Sequence, residues 1–160
     1  MLSYLSALVI GLLAGAMLFI ALALVPFWQQ LPPAEFRAWF AAHSWRIGEL
    51  MFSLGIAAVL LSLSALIRDG TNLSRWIAFG AALAVAIVTI AINEPANVRF
   101  AAPTGLSDPE TMALLVHWKL WHWIRVAFGL VAFSAALSAL RQTPVSSPRN
   151  GEGTGPLRSP

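Results

Sequence analysis

Four long apolar runs separated by short polar breaks set the pattern of this chain. The first, Leu2 to Trp28, carries no charge, and none follows until Glu35. Comparable runs cover Gly48 to Ile67, Arg75 to Ile92 and about Trp118 to Leu140. A bilayer crossing needs about 20 predominantly apolar residues, so the pattern predicts spans at about 2–28, 48–67, 75–92 and 118–140. The breaks carry the chemistry of helix ends. Pro32-Pro33 closes the first connection, and Ala34 to Ile47 reads as an amphipathic helix with Glu35, Arg37, His43 and Arg46 on its polar side. Arg68-Asp69-Gly70-Thr71-Asn72 is a tight turn in which Asn72 or Ser74 can cap the next helix. Pro95 lacks an N–H, which predicts that the third helix stops at Asn93 and that Asn97 to Ser107 is loop. Ser107-Asp108-Pro109-Glu110 reads as a capping box with proline in the first turn. The fourth helix is therefore expected from Asp108 to about Leu140. The expected fold is an all-α four-helix transmembrane bundle over residues 1–142, with an amphipathic segment in the first loop. Residues 143–160, rich in Pro, Ser and Gly, are expected to be a disordered tail.

Composition sharpens this. Charged residues make up 11% of the chain, against roughly 25% in a soluble domain. The formal charge of +3 comes from basic residues scattered at helix ends, which sets nucleic acid aside in favour of the lipid bilayer as partner. With no cysteine, disulfides, thiolate metal sites and cysteine nucleophiles are excluded. The first run has neither the basic n-region nor the short h-region of a cleaved signal and reads as a retained helix. Gly11/Gly15 and Gly80/Ala84 offer small-residue faces for close helix packing, including a homo-oligomer. Four spans put both termini and the 68–75 turn on one side. Each side holds five basic residues; setting aside Arg46 and Arg125, which lie at or within a span, favours cytoplasmic termini. The expected setting is a bacterial inner membrane.

The two sides differ in chemistry. His43, His117 and His122 all lie opposite the termini, as do Trp28, Trp39, Trp45, Trp118, Trp121 and Trp123, leaving only Trp76 on the other side. Interfacial belts normally use tryptophan at both surfaces. His122 and Arg125 are three apart and share a face of the fourth helix with Trp118 and Gly129. Arg125 lies more than a turn inside the apolar run, where an ionisable residue costs about 2.5–3.5 kcal/mol near the centre and turns toward a partner. Glu49 is the expected ionic partner of Arg125 or of Arg46. The bland alternatives are snorkelling for Arg125 and exit-turn chemistry for Asn93 and Asn97.

The Asn93-x-Pro95-x-Asn97 exit, followed after a short loop by Trp118-x-x-x-His122-x-x-Arg125, resembles the anthrone oxygenase family of small four-helix membrane proteins. The glycine-containing first helix ending at Pro26 fits as well, so the resemblance covers roughly residues 1–140. The loop from Ala101 to Ser107 departs from the family in being short and lacking a tryptophan. The resemblance implies oxidation of a hydrophobic aromatic small molecule, an anthrone, to an anthraquinone with dioxygen and with no cofactor or metal. It implies His122 as base and Arg125 as the fixed cation for an oxyanion. Asn93, Asn97 and Glu49 would contact the substrate's polar edge, with Trp118 and Trp121 stacking on its rings.

Two other readings stay open. A haem-binding redox subunit would use His43 and His122 as axial ligands. A non-catalytic membrane protein would bind a lipid or partner helix through its small-residue faces, with His122 and Arg125 merely holding each other.

Overall fold

The computed structural model describes residues 1–102 and 105–142; the expected tail at 143–160 lies outside the described residues. Four helices, α1 (Leu2–Gln30), α2 (Pro33–Arg68), α3 (Leu73–Ala101) and α4 (Asp108–Arg141), are each long and apolar enough to cross a membrane. They run up and down in sequence order, each packed against the next, and α4 returns to α1. No strand occurs among the described residues.

The helix ends follow local chemistry. Asn72 caps α3, its Oδ1 accepting from the Ser74 N–H at 2.9 Å. Ser107 caps α4 in a reciprocal box, its N–H donating to Glu110 Oε2 at 2.8 Å while its Oγ accepts from the Glu110 N–H. Pro33 opens α2, where its missing N–H leaves nothing unsatisfied. The predicted amphipathic segment and second span are one helix of 36 residues, about 54 Å at ~1.5 Å per residue. Its first turns therefore stand beyond the hydrocarbon, as do those of α4. Arg37 ties the two overhangs together, donating to Thr111 Oγ1 at 2.6 Å and to Asp108 Oδ1 at 3.1 Å.

The third span departs from the prediction. Pro95 does not end it: a π-helical stretch at Thr89–Asn93 precedes the proline, and helix resumes over Glu94–Ala101. Widening the turn moves the preceding carbonyls away from the proline ring, so the chain passes through with a bulge instead of a break. The loop expected from Asn97 shrinks accordingly. The same device sits in α1, where Ile20–Leu24 is π-helical just ahead of Pro26.

Two buried clusters fill the bundle. Toward the termini, the core is built from Ala7, Ala58, Ala78, Ala82, Ala132, Ala136 and a few larger apolar residues. There α1 and α4 lie so close that a Cβ on Gly11 would sit 2.7 Å from the Phe133 ring, and one on Gly129 2.5 Å from Met17 Cε. Gly11 does face a neighbouring helix; Gly15 would meet nothing within 4 Å. At the opposite end the core is aromatic: Trp28, Phe36, Phe40, Phe100 and Trp118. Its rings meet edge-on or tilted, with centroids 5.0 Å apart for Phe36–Phe100 and 5.6 Å for Trp28–Trp118.

Candidate functional site

Between the two clusters lies a polar band carried by α3 and α4. On α3, Thr89, Asn93 and Asn97 recur every fourth residue. On α4, Trp118, His122 and Arg125 share one face and are all buried. Because the helices are antiparallel, the two rows meet in rungs. Asn97 Oδ1 accepts from Trp118 Nε1 at 2.8 Å. Asn93 Nδ2 donates to the Trp118 carbonyl at 3.4 Å. Arg125 Nη1 donates to Thr89 Oγ1 at 3.0 Å.

His122 is enclosed on every side, with 0% of its surface exposed. Its ring lies parallel to Trp118, centroids 4.7 Å apart at an 8° angle. Nδ1 accepts from Arg125 Nη2 at 2.6 Å, and Nε2 lies 2.9 Å from the Met17 carbonyl of α1. A guanidinium has only donors and a carbonyl only an acceptor, so the ring is the neutral Nε2–H tautomer with both nitrogens in use. Both ring nitrogens of His122 are therefore engaged, one of them in bracing Arg125. For the same reason it has no free nitrogen for a haem iron. His43, the second ligand in that reading, is exposed and stacks on Trp39 with Nδ1 against the Trp39 carbonyl.

Arg125 is the group that reaches open space. It lines a cleft of about 860 Å³ between α2 and α3, together with Trp28, Phe40, Glu49, Thr89, Glu94, Asn97 and Trp118. Its guanidinium lies over the Trp118 ring at 5.7 Å, and 8% of the residue is exposed. Among the described residues it forms no ion pair. The expected partnership with Glu49 is not made with Arg125, nor with Arg46, which lies over the Trp45 ring at 4.7 Å. Glu49 lines the cleft without a salt bridge among the described residues. Glu94, on α3, lines the same cleft as Arg125. It accepts from Asn97 Nδ2 at 3.0 Å, so Glu94, Asn97 and Trp118 form a connected chain.

Three buried polar atoms around this band have no partner among the described residues: Arg125 Nε, Trp28 Nε1 and Asn93 Oδ1. Burying such an atom unpaired costs about 1–3 kcal/mol. Trp121 is not brought to the cleft. It is rotated off the face shared by Trp118, His122 and Arg125 and lies beside His117, ring centroids 6.3 Å apart. Thr89 and Glu94 are cleft-lining residues of the candidate site that the sequence reading missed. Thr89 was findable, because it extends the Asn93/Asn97 spacing by one further step of four. No group of three or more His, Asp or Glu side chains that could hold a metal ion occurs among the described residues.

No curated protein and no solved structure matches this chain. A family model, that of anthrone oxygenase, matches residues 36–135, a narrower range than the 1–140 of the resemblance. The matched range holds the cleft-lining part of α2, all of α3 and the Trp118, His122 and Arg125 face of α4. It covers well over half of the sequence, and the chain belongs to the anthrone oxygenase family.

Proposed function

We propose that this integral membrane protein oxidises a flat phenolic aromatic of the anthrone type to the quinone, with dioxygen as the sole oxidant. The observation that carries the reading is Arg125: a nearly buried cation with no ion pair among the described residues, fixed by Thr89 and His122 at the wall of a large cleft. A charge in that position is costly unless an anion joins it, and the ionised oxygen of an anthrone is such an anion. Trp28 and Phe40 supply apolar and aromatic wall for the rings.

The chemistry balances with the groups at hand. A benzylic C–H proton leaves to a cleft carboxylate, a role we assign to Glu94, and the electron pair delocalises onto the ring oxygen facing Arg125. The carbanion passes an electron to dioxygen and recombines with it, and the proton returns to the distal oxygen to give a hydroperoxide. Loss of the second benzylic proton and cleavage of the O–O bond form the new carbonyl and release water. The methylene is oxidised to a ketone and one dioxygen is reduced, with one of its oxygen atoms retained and the other lost as water. His122 contributes by holding Arg125, not by taking the proton. We place the termini in the cytoplasm and the cleft in the outer half of a bacterial inner membrane.

The experiment is oxygen uptake by the purified protein in nanodiscs supplied with a hydroxylated anthrone. The reading expects one dioxygen consumed per quinone formed and one atom of labelled oxygen in the new carbonyl. Uptake no faster than that of empty nanodiscs would remove it.

A further inference from the structure

Beside the cleft lies a second cavity of about 210 Å³, running between α2 and α3 from Arg125 toward the termini. Met51, Phe52, Thr89 and Arg125 line both spaces, so the two adjoin at Arg125. Apart from Thr89 and Arg125, which stand at the junction, every lining side chain of the smaller one is apolar. Phe52, Ile56, Leu60 and Ile90 along it are each at least half exposed at the bundle surface. It is therefore a groove open sideways to hydrocarbon.

Its floor is kept empty by glycine. Gly48 lines the cleft and Gly55 the groove, seven residues apart on one face of α2. A Cβ on either would meet nothing within 4 Å, unlike Gly11 and Gly129, where a neighbouring helix fills the space. A mid-helix glycine lowers helix stability relative to alanine, and at Gly55 no close helix approach offsets that. What Gly55 provides is room.

We propose that the ligand is an amphiphile: a phenolic ring system seated in the cleft with its oxygen at Arg125, carrying a hydrocarbon substituent that runs down the groove past Gly55. The inference rests on the oxygenase reading for the ring system and adds the tail and the route. A molecule of this shape partitions into the bilayer and enters sideways between α2 and α3, with its oxygen meeting the single cation at the junction and its chain remaining among apolar side chains.

The test uses non-reacting ligands, so that it does not depend on turnover. Dihydroxyanthraquinone without a side chain and its hexyl derivative are titrated into the protein in nanodiscs, and binding is read from quenching of tryptophan fluorescence. Comparing wild type with Gly55→Leu at the same ligand cancels partitioning into lipid. Leucine there should weaken the hexyl compound by about tenfold or more, while the unsubstituted ring changes by less than about twofold and so reports an intact cleft. Gly80→Leu, also into open space but away from the groove, should change neither. Should Gly55→Leu fail to fold, Val59→Phe at the same groove is read in its place. Equal weakening of both ligands, or of neither, overturns the proposal and leaves the groove to lipid chains. Chain-dependent binding without any anthrone turnover would keep the groove and remove the oxygenase reading; turnover indifferent to both chain and variant would do the reverse.

Discussion

The two ends of this bundle are built on opposite principles. Nearest the termini, beyond the end of the apolar groove, alanine and glycine let the helix backbones approach closely, and the cavity among Ser6, Ser62 and Ala136 measures about 20 Å³. At the other end, rings of Trp28, Phe36, Phe40, Phe100 and Trp118 hold the helices apart, and a cleft of about 860 Å³ opens beside them. Lipid tails are as apolar as the side chains, so helices in a membrane gain most from close van der Waals contact. The small-residue end maximises that contact. The aromatic end gives part of it up for space, and the polar band of Thr89, Asn93, His122 and Arg125 lies where the two meet. On the proposed reading the close-packed end holds the fold, and the ring system sits at the aromatic end with its chain reaching toward the other along the groove.

Substitutions can break that contrast from either side. Phe100 is 1% exposed and wedged against Phe36 and Phe40. Phe100→Ala should cost about 3–5 kcal/mol, read as a shift of the unfolding midpoint in an SDS titration. A shift worth less than about 1 kcal/mol would mean that the ring cluster does not hold the far end of α3. At the close-packed end, alanine at Gly129 is absorbed by the flexible tip of Met17, but leucine must also displace the Ala14 backbone, 3.6 Å from a Cβ there. Gly129→Leu should cost about 1–3 kcal/mol in the same titration, and Gly129→Ala much less. Equal effects of the two would show that α1 and α4 are not in contact.

The smallest effect lies outside both cores, in the turn between α2 and α3. The Thr71 hydroxyl, with the Arg75 guanidinium beyond it, holds the Asp69 carboxyl below its ordinary value of 3.8. A depressed folded value stabilises the fold above the unfolded value and ceases to do so as pH falls through the folded one. The melting temperature of wild type should therefore fall slightly further than that of Asp69→Asn on going from neutral pH to about pH 3. Parallel curves would show that the turn contributes nothing.

What could be read from the chain and what could not follow the range of each interaction. The spans and the Ser107 box rest on neighbours in sequence and were legible. The passage through Pro95 was not, because the rule against mid-helix proline assumes α geometry, and the π turn at Thr89–Asn93 evades it. The inward face of Trp118, His122 and Arg125 followed from spacing, whereas Trp121, expected to stack on the substrate, lies beside His117 off that face. Of the two partners of His122, Arg125 followed from the same spacing, but the Met17 carbonyl did not: it is 105 residues away, and only the packing of α1 on α4 brings it there.

The central claim is that Arg125 acts on the substrate and His122 acts only through Arg125. A double-mutant cycle on anthrone oxidation tests it most directly, using His122→Gln, Arg125→Gln and both together, each checked for wild-type yield and tryptophan fluorescence. Loss of the single oxyanion donor should lower turnover by about 10²–10³. If His122 works by positioning, the double variant is no slower than Arg125→Gln alone, and the whole His122 effect appears as coupling. Independent losses that multiply in the double variant would make His122 a participant in its own right and contradict the account.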